Sequence, residues 1–226
     1  MESQAAGGRN CTRATVDHCK LRHSMSSEQL SQISAEIRAA IRRARGYADF
    51  FGWATNRDLE EQGVITSLAE SMDAEGALFF SQISLRGRGN DPPDLEARAK
   101  KGNRIAFEVT ELVDGDAIKA FKGGRPFDSA EWDKAKFIGT LEGLLVAKNN
   151  RFEKLKGGPY TGGYVVVIFT DEPELPRLKV AKFLENHVFA GLPNISRAFL
   201  LLSYDPSIER CPHFELTIDA QPLGRR

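Results

Sequence analysis

An acid at the centre of an alternating apolar stretch constrains this chain more than any other feature. From Arg104 to Leu112 the sequence reads RIAFEVTEL and sorts by parity. Ile105, Phe107 and Val109 fall on one face of a strand; Ala106, Glu108, Thr110 and Leu112 fall on the other. Glu108 is then a carboxylate in the middle of an apolar strand, where it needs a partner or a metal to be stable. Ahead of it, Lys101-Gly102-Asn103 is a turn signal that folds the preceding segment back as a hairpin. The hairpin carries Asp94, which follows Pro92 and Pro93 at the mouth of its first strand, toward Glu108. Two carboxylates meeting there form a hard-oxygen site suited to Mg²⁺, which takes few protein ligands and keeps several waters. Mn²⁺ suits the same oxygen donors.

At 226 residues the chain can bury one full core. Residues 1–27 are small, polar and unpatterned and are expected to form a disordered tail, with a single α/β domain over 28–226. The longest apolar run, Tyr164 to Phe169, suits a buried strand and is far too short to span a membrane. With no apolar leader and three cysteines (Cys11, Cys19 and Cys211), a reducing, cytoplasmic setting is expected. Lys plus Arg and Asp plus Glu both total 31, a balance too acidic for a dedicated nucleic-acid coat protein. It leaves room for a local basic rim around an acidic site, and Arg86, Arg88, Lys100, Lys101 and Arg104 are the candidate rim. For each of them a solvated surface is the ordinary alternative.

Helical periodicity runs from Ser27 to about Phe51, with Arg38, Arg42, Arg43 and Arg45 outward, and again from Asn56 to Asp73. Ala77 to Leu85 reads as the first strand, and Asp114-Gly115-Asp116 as a turn. Asp128 with Glu131 suggests a capping box for a helix from about Ser129 to Leu155. On that helix Lys148 projects within about 40° of Leu141 and Leu144, inside the apolar stripe. An inward lysine either snorkels past the helix end or meets a buried acid. Gly162-Gly163 opens the apolar strand Tyr164 to Thr170. A helix from Pro176 to Phe189, with Val180, Phe183, Leu184 and Val188 inward, precedes strands at Ala198 to Tyr204 and His213 to Ile218. His187 and His213 are assigned structural roles.

Pro93-Asp94, a hairpin, and then Glu108 two positions before Thr110 resemble the signature of the PD-(D/E)XK nuclease superfamily, with Thr110 where the lysine usually stands. The resemblance covers roughly residues 30 to 205. It implies a restriction-endonuclease-like core, a central mixed sheet with helices on both faces, and Mg²⁺-dependent hydrolysis of phosphodiesters, DNA first. Asp94 and Glu108 would hold the metal, with the Val109 carbonyl as a further ligand and Glu61 or Glu70 supplied by the leading helix. Thr110 would at most hydrogen-bond a metal-held water. Lys148 resembles the variant in which the lysine has moved to the following helix, there to orient or deprotonate the attacking water. The expected partner is nucleic acid, with a homodimer as a compatible assembly and no membrane. Two rivals stand beside this. One is the same fold with its chemistry lost, acting as a binding or interaction module. The other is an unrelated α/β protein in which Glu108 is a core residue paired with Arg104.

Overall fold

Six strands hydrogen-bond in the order in which they occur along the chain. The computed structural model describes residue 48, residues 57–124 and residues 131–219. The expected basic helix from Ser27, the polar tail, the Asp128 cap and the tail from Gln221 lie outside those residues. Strands β1 (Phe80–Leu85), β2 (Leu95–Ala99) and β3 (Arg104–Glu111) form an antiparallel meander. β4 (Gly163–Thr170) and β5 (Arg197–Leu202) then add parallel to β3, and β6 (His213–Leu216) closes the sheet antiparallel. The parallel steps need crossovers, and helices supply them. The main helices are α1 (Arg57–Ala74), α2 (Gly115–Lys122), α3 (Lys134–Asn149) and α4 (Arg177–Leu184).

Strand parity divides the core in two. Ile105, Phe107, Val109, Val165, Val167 and Phe199 face α1, which inserts Val64, Ile65, Leu68 and Met72. Ala106, Leu112, Tyr164, Val166, Ile168 and Leu200 face Phe137, Leu141 and Leu145 of α3 and Val180 of α4. The fold is therefore α/β, a six-stranded mixed sheet with helices on both faces. Burying one such side chain stabilises by roughly 1.5–3 kcal/mol, so each helix is held mainly by its apolar stripe. None of the helices among the described residues is long and apolar enough to cross a membrane.

Several boundaries differ from expectation. Asp114 is an N-cap rather than part of a free turn: its Oδ1 accepts the N–H groups of Asp116 and Ala117 at 2.8 and 2.9 Å and starts α2. α3 is capped by Asp133, which accepts from the Lys136 N–H at 2.7 Å, and it stops at Asn149, short of the expected Leu155. α4 ends at Leu184, because Asn186 adopts a positive φ of 57° that no helix continues. Val188 is accordingly half exposed rather than inward. β1 begins at Phe80, three residues later than expected. His213 Nδ1 lies 2.9 Å from Ser71 Oγ, and His187 Nε2 lies 3.4 Å from Glu142 Oε1 without forming a hydrogen bond.

Candidate metal centre

The site grows out of the place where the β2–β3 ladder stops. Leu95 pairs with Phe107, and the Asp94 N–H donates to the Phe107 carbonyl at 3.1 Å. One step further the backbone of β2 has peeled away, and the Asp94 side chain replaces it: Oδ2 accepts the Val109 N–H at 2.8 Å. From Glu108 to Glu111, β3 thus runs beside β4 with no strand on its other side among the described residues. That gap is the floor of a cleft of about 300 Å³, lined by Arg57, Glu61, Val109, Thr110, Lys148 and Arg151 among others.

Carboxylate oxygens of Asp91, Asp94 and Glu108 lie within 4.8 Å of one another, and all three acids are at least partly buried. Glu108 is wholly buried. Its Oε2 accepts a hydrogen bond from Lys148 Nζ and lies 3.5 Å from Arg151 Nη1. Its Oε1 is buried with no hydrogen-bond partner among the described residues. An ionised oxygen in that position is costly to leave bare, and a cation shared with Asp91 and Asp94 would satisfy it. The donor set fits a hard divalent ion: oxygen atoms, few of them, beside an open cleft that admits water.

Other cations already press on the acids. Lys148 Nζ also donates to the Val109 carbonyl at 2.9 Å and lies 3.9 Å from Asp94 Oδ2. The end of α3 that carries it is pinned, since the Tyr164 hydroxyl donates to the Lys148 carbonyl at 3.0 Å. Asn194 clamps Asn149 next to it, donating from its N–H to Asn149 Oδ1 at 3.0 Å and from Nδ2 to the Asn149 carbonyl at 3.2 Å. Arg151 Nη2 sits 3.2 Å from Asp91 Oδ1. From the opposite side, Arg57 places Nε 2.5 Å from Glu61 Oε1 and Nη2 3.6 Å from Asp94 Oδ1. Burial above all, and then the Glu108 charge, push the Asp94 carboxyl up to about 7, against the pull of Lys148 and the Val109 N–H. Glu61 is also raised, by burial first, with Arg57 opposing.

Val109, Thr110, Lys148 and Glu61 line this cleft, and Asp94 and Glu108 connect to it through their contacts with Lys148. The Val109 carbonyl, expected as a ligand, faces the lysine instead. Glu70 is exposed on α1. The candidate rim disperses. Arg104 forms a two-pronged pair with Glu96 at 2.7 Å, Arg86 reaches the same carboxylate at 2.6 Å, and the Tyr160 hydroxyl donates to it at 2.9 Å. Arg104 is thus the partner of Glu96, not of Glu108. Arg88 belongs to a 3-10 turn over Arg88–Asn90. Lys100 and Lys101 are exposed at the far end of the hairpin, beyond Asn103, which lies about 17 Å from Glu108 along the strand at ~3.3 Å per residue.

Asp91, Arg57 and Arg151 were not singled out by the sequence. Asp91 had a signal, the symmetry of Asp91-Pro92-Pro93-Asp94, and Arg151 had its spacing one turn beyond Lys148. Arg57 had none. No family model, no curated protein and no solved structure matches the chain.

Proposed function

We propose that this protein is a Mg²⁺-dependent phosphodiesterase acting on nucleic acid, DNA first, built on a restriction-endonuclease-like core of the PD-(D/E)XK type. One observation carries the reading. A buried glutamate at the open edge of a strand gives one oxygen to a lysine and keeps the other without a hydrogen-bond partner among the described residues, in a cluster with two aspartates. The element order of helix, three strands, two helices and strand supports the same reading, as does the contact of Lys148 with Glu108 where Thr110 brings no charge.

Asp94, Glu108 and Asp91 would hold the ion. Bound there, Mg²⁺ or Mn²⁺ supplies a water of lowered pKa and neutralises charge on the phosphate. The chain's own part is positional. Val109 N–H fixes Oδ2 of Asp94, and Oδ1 lies 3.6 Å from Arg57 Nη2. Lys148 ties Glu108 to the end of α3 and would orient or deprotonate the attacking water. Thr110 lines the cleft and can accept or donate one hydrogen bond, but it brings no charge.

The test is cleavage of supercoiled plasmid and single-stranded DNA with Mg²⁺ or Mn²⁺. Glu108→Gln is expected to abolish cleavage, and Lys148→Ala to slow it by about 10²–10⁴-fold, the range of a positioned proton-handling group. Cleavage that survives Glu108→Gln excludes this site. A wild-type protein that takes up Mg²⁺ and binds DNA without cutting it is instead the binding module on the same fold, which Thr110 in the lysine position favours.

A further inference from the structure

Ion pairs connect seven side chains at the centre: Asp91, Asp94, Glu108 and Glu61, with Arg57, Lys148 and Arg151. With every acid ionised, four negative charges face three positive ones, a deficit of one. A divalent cation would reverse the sign of this network, leaving one positive charge within it, while Glu60 and Glu111 also line the cleft. The three cations are not equivalent in this. Lys148 is buried, doubly bonded and pinned through its own carbonyl. Arg151 follows the end of α3 with its side chain about one-third exposed, lines the cleft, and holds the acids loosely, at 3.2 Å from Asp91 and 3.5 Å from Glu108.

Building on the metal-dependent function proposed above, we infer that Arg151 is a phosphate-binding residue that the acids hold back until a divalent cation takes them. In the metal-free protein its guanidinium bridges Asp91 and Glu108 and competes with the ion for both. Once the ion neutralises those carboxylates, the attraction holding Arg151 is largely cancelled. The side chain is then free to offer its planar pair of N–H groups to a phosphate in the cleft, the geometry at which arginine excels. Metal uptake and nucleic-acid binding thereby become linked through one side chain, each favouring the other.

The full-length protein tests this without any cleavage. Mg²⁺ affinity is measured by calorimetry, and binding of a short single-stranded or duplex oligonucleotide is measured with Ca²⁺ in place of Mg²⁺ and with chelator. Arg151→Gln removes a competing cation and is expected to bind Mg²⁺ about tenfold more tightly. It should lose about tenfold of the oligonucleotide affinity that Ca²⁺ adds, while binding in chelator stays unchanged. Arg151→Lys keeps the charge and loses the fork. It should retain wild-type Mg²⁺ affinity with only part of the Ca²⁺-dependent increment, and it serves as the readout if the glutamine variant melts early. Unchanged or weakened Mg²⁺ affinity in Arg151→Gln, or an undiminished increment, overturns the role. Absence of any Mg²⁺ uptake by the wild type instead sinks the metal centre itself, a separate and recognisable failure.

Discussion

Glu108 and Lys148 are the residues on which the site's energetics turn, because neither charge can be buried alone. Glu108 is wholly enclosed and Lys148 is 7% exposed, so their mutual attraction acts where water screens little. Breaking such a pair by removing one partner costs about 3–5 kcal/mol, since the other is left charged and dry. Arg151, also near Glu108 Oε2, offsets part of that and favours the lower end. Lys148→Met is therefore expected to destabilise the metal-free protein by about 3 kcal/mol, and the Glu108→Gln, Lys148→Met double variant to regain most of it. Urea unfolding in chelator measures the cycle. Losses that simply add would mean that the two side chains do not depend on one another. Asp94 shows the same economy in a different form. Its carboxyl is raised by burial and by Glu108, so the centre disfavours full ionisation, and the proposed divalent ion would relieve it.

At the scale of elements, the sequence made the hairpin and its register legible, because a turn signal and strict alternation are local. Lys148 was legible too, since helical periodicity places it on a buried stripe whatever that stripe packs against. The caps were less so. Three aspartates, Asp114, Asp128 and Asp133, precede helix-forming runs, and sequence cannot say which side chain meets a free N–H. The ion-pair network was hidden because its partners are remote: Arg151 and Asp91 stand 60 positions apart. Gly162-Gly163 was read as a strand opening, and the fold supplies a reason. A Cβ at Gly162 would come within 2.8 Å of the Arg104 carbonyl, and one at Gly163, where φ is 111°, within 2.4 Å of Ser196 Oγ. β4 enters there beside the start of β3, too close for a side chain. The contact between α1 and β6 carries a prediction of its own. Burial, assisted by Arg210 and Arg197, lowers the His213 pKa below 6.5, although Glu75 and Glu215 oppose the shift. Between the folded value and 6.5 the unfolded chain binds a proton that the folded chain refuses, so stability is lost as pH falls through that window. The melting temperature of wild type should approach that of His213→Asn as pH is lowered below 6.5. A gap that stays constant with pH would mean that the Ser71 contact tolerates the charged ring.

At the scale of the whole molecule, a net charge of zero means that the proposed attraction to nucleic acid would have to be local, at a place the fold decides. Arg86 and Arg104 are tied to Glu96, which the two guanidiniums and the Tyr160 hydroxyl hold below its usual range, although burial pulls the other way. They stabilise the hairpin and have little charge to spare. Lys100 and Lys101 are exposed, but they cap the opposite end of that hairpin, beyond a strand length of about 17 Å from Glu108. At physiological ionic strength the Debye length is about 8 Å, so their field at the cleft has decayed through more than two screening lengths. A substrate too short to span that distance should not notice them. Reversing both, Lys100→Glu with Lys101→Glu, is expected to leave kcat/KM for a dinucleotide-sized phosphodiester unchanged at physiological salt. At about 0.01 M salt, where screening extends to about 30 Å, a modest loss should appear. The pair of rates at the two ionic strengths is the measurement. A loss already present at physiological salt would mean that the hairpin tip bends over the cleft, and that the basic rim is assembled in solution in a way this sheet geometry does not provide.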